Sequence, residues 1–87
     1  MARLLVTGGA GFIGANFVQY WINTYPDDRV VVLDALTYAG NLANLEPVSG
    51  ESQYRFVHGS IVDTDAVTAI LREEKIDTIA HFAAESH

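Results

Sequence analysis

The chain has 87 residues, a formal net charge of −6 at neutral pH, and 49% apolar residues. This length suffices for one modest hydrophobic core and is too short for a complete large α/β enzyme. The five basic residues are scattered along the sequence, which argues against a nucleic-acid-binding surface. The absence of cysteine excludes a disulfide scaffold and thiolate metal sites.

The sequence predicts neither export nor membrane insertion. The apolar stretch from Met1 to Val6 is too short for a signal peptide, and glycines follow it at once. No apolar run reaches the ~18 residues that a membrane-spanning helix needs. We therefore expect a cytoplasmic protein with no membrane partner and no nucleic-acid partner.

A glycine-rich segment, Thr7-Gly8-Gly9-Ala10-Gly11-Phe12-Ile13-Gly14, follows the first predicted strand, Leu4 to Val6. Glycines at such a turn permit a tight bend, the close approach of a pyrophosphate and close packing of the next helix on the strand. Two glycine registers fit this kind of turn: Gly9, Gly11 and Gly14, or Gly8, Gly11 and Gly14. Either register predicts an anion site at the start of a helix.

A helix is predicted from Phe12 to about Asn23. Its apolar stripe is expected to include Ile13, Phe17 and Trp21, which recur every four residues, and to be widened by Val18 and Ile22. Pro26 and the acidic pair after it end the helix.

The second predicted strand, Val30 to Leu33, ends on Asp34, twenty positions after Gly14. Strand, helix and strand within about thirty residues form a βαβ unit. A carboxylate at the tip of the second strand can accept hydrogen bonds from both hydroxyls of an adenosine ribose, and it repels a 2′-phosphate. The glycine turn together with Asp34 therefore predicts NAD rather than NADP as the cofactor.

Four further elements are predicted after Asp34: a short helix around Leu42 to Leu45, a strand over Tyr54 to His58, a helix from the capping residues Asp63 to Asp65 to about Glu74, and a strand over Asp77 to Ala84. Alternating strands and helices predict the α/β class. We expect a Rossmann-like parallel sheet of about four strands in the order 3-2-1-4, flanked by helices, which is part of a doubly wound domain.

The ligand crevice of such a sheet lies at the carboxyl ends of the strands. Four segments are expected to converge there: the glycine turn, Asp34, residues 59–61, and residues 82–87. Glu85, Ser86 and His87 are candidates for substrate contacts, because they directly follow a predicted buried strand. Residues 73–75 are predicted to be a solvated helix end. The three histidines have neither cysteine partners nor the spacing of a metal site, so no metal is expected.

Residues 7–14 resemble the fingerprint of the extended short-chain dehydrogenase/reductase superfamily. Leu33 to Asn41 and His81 to His87 resemble, within it, the dTDP-glucose 4,6-dehydratase family, and these two strings are more specific than the glycine motif. The resemblance covers nearly the whole chain. It implies the amino-terminal part of a single NAD-binding Rossmann domain, in a homodimeric enzyme that acts on a nucleotide-sugar substrate.

The resemblance also implies which residues hold NAD, and it favours the register that begins at Gly8. The implied cofactor-binding residues are Gly8, Gly11, Phe12, Ile13, Gly14, Asp34, Leu36, Thr37, Ser60, Ile61, Phe82, Ala83 and Ala84. Ser60 departs from the family pattern, which usually has aspartate there. A contact from Ser60 to the adenine amino group is therefore expected to be weaker or mediated by water.

The resembled family transfers a hydride from C4 of the sugar to NAD, eliminates water across C5 and C6, and returns the hydride to C6. A tyrosine followed by a lysine four residues later, and an Asp-Glu pair, perform the acid–base steps. None of the four tyrosines of this chain has a lysine at that spacing. We therefore expect the catalytic and substrate-binding parts to lie outside this segment, and no dehydratase activity from the 87 residues alone.

Two other functions fit the same residues. A UDP-sugar 4-epimerase or a related member of the superfamily has the same glycine motif and differs in a substrate pocket outside this segment. A small non-catalytic NAD-binding module is the third hypothesis, although its fourth strand would then be an exposed apolar edge.

Overall fold

A computed structural model describes residues 1–36 and 42–82 of the chain. Their elements, in chain order, are β1 (Arg3–Thr7), α1 (Phe12–Thr24), β2 (Arg29–Asp34), a 3₁₀ helix (Leu42–Val48), β3 (Tyr54–His58), α2 (Thr64–Glu73) and β4 (Thr78–His81). Each element predicted for these residues is present, and the prediction of β3 matches at both ends.

The sheet is parallel and has the order β3-β2-β1-β4, which confirms the predicted topology. In the strand register, Leu5 of β1 lies opposite Val31 of β2 and Ile79 of β4. Because all strands run the same way, their last residues lie along one side of the sheet, which we call the carboxyl edge. The side where the strands begin is the amino edge.

Helices cover both faces of the sheet, as predicted. On one face, α1 and the 3₁₀ helix pack on the sheet, and the buried residues there are Leu4, Val6, Val30 and Val32 of the strands with Ala15, Val18, Ile22, Leu45 and Val48 of the helices. On the other face, Ile70 of α2 packs against Leu5, Val31 and Leu33. Strands β1 and β2 are thus buried on both sides, which explains their unbroken apolar sequences.

Strand β4 is shorter than the predicted Asp77 to Ala84. It ends at His81 because its partner β1 ends at Thr7, where the chain turns away at Gly8. The last backbone contact of this pair runs from the Phe82 N–H to the Thr7 carbonyl oxygen, at 2.7 Å. Ala83 and Ala84 lie outside the described residues.

The prediction that Ile13 belongs to the buried stripe of α1 was wrong. Ile13 is 70% exposed, and the buried face of the helix contains Gly14, Val18 and Ile22. The reason is the close packing of Gly14 on the backbone of Gly8, which turns this line of residues toward the sheet. Phe17, which was also predicted for the stripe, is half-buried and packs against the same cluster.

The prediction that residues 73–75 are solvated was wrong for Glu74. This side chain is buried at the end of α2 and binds three arginines at the amino edge. Its Oε1 accepts a hydrogen bond from Arg29 at 3.0 Å and lies 3.4 Å from Arg3, and its Oε2 accepts one from Arg55 at 2.7 Å. The arginines come from three neighbouring strands, so residues scattered in sequence form one charged cluster.

Glu74 makes the stability of the chain depend on pH. Hydrogen bonds from Arg29, aided by those from Arg55, outweigh burial and lower the pKa of Glu74 from 4.5 to about 2. A carboxyl with a lowered pKa stabilises the folded state above pH ~4.5, and this contribution is lost as the pH falls toward ~2. We expect roughly 2–3 kcal/mol to be lost over that interval, measured as the free energy of unfolding in urea.

Variants of two neighbouring glutamates test this dependence of the free energy of unfolding on pH. Glu74→Gln removes the titrating group and should flatten the pH dependence between about pH 5 and 2. Glu73→Gln alters an exposed carboxylate at 3.5 Å from Arg55 and should leave the wild-type profile almost unchanged. If Glu74→Gln loses stability between about pH 5 and 2 as steeply as the wild type, Glu74 is not the group responsible for the pH dependence.

Candidate functional site at the carboxyl edge

The carboxyl edge brings the predicted site segments side by side. Three backbone hydrogen bonds join neighbouring segments, from Gly8 to Leu33 (2.9 Å), from Gly59 to Asp34 (3.0 Å) and from Phe82 to Thr7 (2.7 Å). The glycine turn therefore lies between the end of β2 and the end of β4, at the point where the strand order reverses. In open α/β sheets, this switch point is where ligands bind.

The structure distinguishes the roles of the glycines in the turn. Gly8 has a φ of 73°, the left-handed conformation that a side chain disfavours. A Cβ on Gly14 would lie 2.4 Å from the carbonyl oxygen of Gly8, so only glycine allows α1 this close to the turn. A Cβ on Gly9 would lie 2.7 Å from Cγ1 of Val32, which makes Gly9 a packing position. This geometry favours the register that begins at Gly8.

Helix α1 begins with backbone N–H groups that have no partner within residues 1–36 and 42–82. Gly11 is the N-cap, no side chain among the described residues caps the helix, and the first intrahelical bond runs from the Ala15 N–H to the Gly11 carbonyl at 2.8 Å. The N–H groups of residues 12–14 precede that bond and have no acceptor in the helix. Phe12 is 76% exposed, so its side chain leaves this end open. Free N–H groups and the helix dipole suit an anion.

Asp34 lies at the tip of β2, where the sequence predicts it, and is 9% exposed. Its Oδ2 accepts a hydrogen bond from the Ala10 N–H at 2.9 Å, and its Oδ1 accepts one from the Leu36 N–H at 2.7 Å. Each carboxylate oxygen can accept two hydrogen bonds and has one donor among the described residues, so within this part of the chain each retains one acceptor position. Asp34 thus holds the glycine turn in addition to presenting a carboxylate at the carboxyl edge.

Leu36 has a left-handed backbone, with a φ of 56°. This conformation costs a side chain of its size about 1 kcal/mol or more. Two contacts offset that cost: its N–H donates to Asp34, and its side chain packs on the α1 side of the core. The neighbouring predicted residue, Thr37, lies outside the described residues.

Ser60 and Ile61 follow β3 beside Asp34. The Ser60 hydroxyl oxygen accepts a hydrogen bond from the Val62 N–H at 3.2 Å, and the Ser60 carbonyl accepts one from the Asp63 N–H at 3.0 Å. This tight turn leads into α2, whose N-cap is Asp63, as the sequence predicts. Ile61 is 42% exposed. The Ser60 hydroxyl still has a hydrogen to donate and one acceptor position.

Phe82 is half-buried, and its ring centroid lies 5.1 Å from that of Phe17 in α1. Its side chain therefore packs under the first helix at the switch point. Five further predicted site residues, Ala83, Ala84, Glu85, Ser86 and His87, lie outside the described residues.

Sequence reasoning misses two hydrogen bonds at this edge. Thr7 Oγ1 and His81 Nδ1 lie 2.6 Å apart, and Asn44 Nδ2 donates to the Ala10 carbonyl at 2.9 Å. Strand pairing offers a signal for the first, because Thr7 and His81 end neighbouring parallel strands in register. No pattern along the chain signals the second, since Asn44 and Ala10 lie 34 positions apart in elements that are not paired in register.

Residues 1–36 and 42–82 contain no group of three or more histidine, aspartate or glutamate side chains placed to hold a metal ion. None of their helices combines the length and the apolar character that crossing a membrane requires.

Comparison with known proteins gives a family match over nearly the whole chain. A family profile described as GDP-mannose 4,6 dehydratase matches residues 5–87. The dTDP-glucose 4,6-dehydratase of Mycobacterium tuberculosis is 54% identical over 85 residues, which are 98% of this chain and 24% of that protein. The chain thus spans about a quarter of the length of this curated relative.

Solved structures give the same correspondence in three dimensions. The dTDP-glucose 4,6-dehydratase of Bacillus anthracis, in complex with NAD, matches with a TM-score of 0.95 and 41% identity. That of Streptomyces venezuelae, also with NAD bound, has a TM-score of 0.87 and 58% identity. Both matches cover 98% of this chain and 27% of the solved one. The UDP-Glc/GlcNAc 4-epimerase of Campylobacter jejuni has a TM-score of 0.85 and 31% identity, over 26% of its chain.

Proposed function

The chain belongs to the GDP-mannose 4,6-dehydratase family, and we propose that it is the NAD-binding segment of a dTDP-glucose 4,6-dehydratase. In this proposal it is the amino-terminal part of a single Rossmann domain. The observation that carries the proposal is the uncapped start of α1 beside the Asp34 carboxylate at the switch point of the sheet. The identities support a 4,6-dehydratase over a 4-epimerase, because they reach 54–58% with dTDP-glucose dehydratases and 31% with the epimerase.

The residues present fit NAD at two distinct places. The free N–H groups of residues 12–14 would bind the pyrophosphate, and the missing side chain at Gly11 would let the backbone approach it. The acceptor positions that Asp34 retains would bind the ribose hydroxyls. A 2′-phosphate would meet the negative charge of Asp34, so the proposed cofactor is NAD rather than NADP.

Further contacts are proposed on either side of the pyrophosphate and ribose sites. Leu36, Thr37, Ser60 and Ile61 would surround the adenosine, and residues 82–84 would line the path toward the nicotinamide. Glu85, Ser86 and His87 would contact the nucleotide sugar. These assignments follow the family resemblance, and they agree with the position of Leu36, Ser60 and Phe82 at the carboxyl edge.

The chemistry is divided between this segment and the rest of the enzyme. A bound NAD would supply hydride transfer, which removes a hydride from C4 of the sugar and delivers it to C6 after the loss of water. The residues of this segment bind and orient the cofactor, and the acid–base groups are proposed to lie beyond position 87. We further propose that the full-length protein is a cytoplasmic homodimer. Light scattering of the full-length protein would measure its oligomeric state.

Turnover of dTDP-glucose tests the proposed division. The full-length protein is expected to convert dTDP-glucose to the 4-keto-6-deoxy sugar, whereas residues 1–87 alone should give no product above a no-protein control. Product analysis by mass spectrometry follows the loss of water. A 4-epimer formed from UDP-glucose would favour the epimerase hypothesis, and NAD binding without turnover by the full-length protein would favour the non-catalytic module. Measurable turnover by the isolated segment would refute the division.

A further inference from the structure

The glycine turn is held by side chains from outside the glycine motif. Ala10, in the middle of the turn, is fully buried, so its two backbone polar groups need partners within the protein. Its N–H donates to Asp34 Oδ2 at 2.9 Å, and its carbonyl oxygen accepts from Asn44 Nδ2 at 2.9 Å. Asp34 lies at the end of β2 and Asn44 lies in the 3₁₀ helix, so two separate elements hold one residue of the turn.

The bond from Asn44 determines the orientation of the next N–H group. A peptide group is planar, so the Ala10 carbonyl and the Gly11 N–H point in opposite directions within one plane. The Gly11 N–H itself has a long bond, 3.3 Å to the Gly8 carbonyl, which constrains that plane weakly. Because Gly11 is the N-cap of α1, the orientation of this peptide group also affects where the free N–H groups of the helix point.

Asn44 is well placed to act as a rigid donor. Gln19 of α1 donates from Nε2 to the Asn44 carbonyl at 2.7 Å. The next residue, Leu45, and Val48 are buried against the core that α1 covers. The backbone of Asn44 is therefore held by the bond to its carbonyl and by the burial of the residues that follow it, which reduces the entropy lost when its side chain bonds to Ala10.

We propose that Asn44 is a positioning residue of the cofactor site, which orients the Gly11 peptide group through the carbonyl of Ala10. Asn44 acts through the turn, without a role in the chemistry. The identity of the bound ligand rests on the proposed function, whereas the effect of Asn44 on the turn does not.

Two variants in the same 3₁₀ helix test this proposal in the full-length protein. Asn44→Ala removes the donor to Ala10. Val48→Ala removes buried apolar volume from the helix and leaves the donor in place, so it controls for general loss of stability. Asn44→Asp keeps the side-chain size and also removes the donor, which covers the case in which the alanine variant fails to fold.

The first measurement is amide hydrogen exchange without cofactor, far from unfolding conditions. We expect the Ala10 and Gly11 amides to exchange about tenfold faster in Asn44→Ala and at the wild-type rate in Val48→Ala. The second is the affinity for NAD, for which Kd should rise about tenfold in Asn44→Ala with kcat at saturating NAD within about twofold of wild type.

The outcomes separate this inference from the proposed function. Unchanged exchange of the turn in both Asn44 variants, or equal acceleration in Val48→Ala, would overturn the positioning role. If exchange of the turn is faster in Asn44→Ala but the Kd for NAD is unchanged, Asn44 orients the turn without affecting cofactor binding, and its role in the cofactor site is contradicted. If the wild-type protein does not bind NAD, the proposed function fails, and the exchange of the turn still decides whether Asn44 orients it.

Discussion

Replacing Gly14 by alanine is expected to destabilise the chain by about 2–3 kcal/mol and to weaken NAD binding about 100-fold or more. The new Cβ would lie 2.4 Å from the Gly8 carbonyl oxygen and 2.9 Å from the Gly9 Cα, and neither backbone atom can rotate away. A clash this close with backbone atoms lies at or above the upper end of the roughly 1–3 kcal/mol that overpacking typically costs, and the roughly 1 kcal/mol of helix propensity gained from alanine offsets only part of it. The helix must then move off the turn.

The measurements for Gly14→Ala are urea denaturation of the chain and NAD titration of the full-length protein. Gly50→Ala is the matched control, since a Cβ on Gly50 meets no atom within 4 Å. The control should leave the free energy of unfolding and the affinity for NAD close to wild type. Equal free energies of unfolding for Gly14→Ala and Gly50→Ala would contradict the close packing of α1 on the glycine turn.

Replacing Asp34 by alanine is expected to weaken NAD binding by two orders of magnitude or more and to lower the free energy of unfolding by about 2 kcal/mol. The two effects have separate causes. Loss of the carboxylate leaves the buried Ala10 N–H and the Leu36 N–H without their acceptor, and each such loss costs about 1–3 kcal/mol when water cannot replace it. The affinity falls further because the proposed acceptors for the ribose hydroxyls are gone.

Asp34→Asn separates these two causes. An asparagine keeps one carbonyl oxygen for one of the two N–H groups and turns an NH₂ toward the other. It should therefore retain part of the stability while losing most of the NAD affinity. Asp27→Ala alters an exposed aspartate at the amino edge, in the loop between α1 and β2, and serves as the control for the loss of one negative charge. Wild-type affinity of the Asp34→Ala variant for NAD would contradict the assignment of this carboxylate.

Much of the fold follows from signals that are local in sequence. The unbroken apolar runs of β1 and β2 predict strands buried on both faces, and glycines after the first strand predict a tight turn into a helix. The order 3-2-1-4 then follows from the doubly wound arrangement, in which helices cover both faces of a parallel sheet. The same local reasoning places Asp34 at the carboxyl edge, because it directly follows the second strand.

What the sequence could not predict depends on contacts between distant residues. Glu74 and Arg3 are 71 positions apart, and nothing near Glu74 distinguishes it from the exposed Glu73 beside it. Asn44 lies 34 positions from Ala10, in a stretch without regular periodicity. Ile13 fits a helical stripe by spacing, yet the packing of the next residue on the glycine turn leaves it exposed.

The most direct test of this account is hydrogen exchange of the full-length protein with and without NAD, resolved to short segments. The account predicts slower exchange in residues 8–14 and 34–36 when NAD is present, and no change in residues 25–31 at the amino edge. The same concentration of NADP should give much weaker protection of both segments. Unchanged exchange of the glycine turn with saturating NAD, or protection confined to the amino edge, would contradict the proposed site.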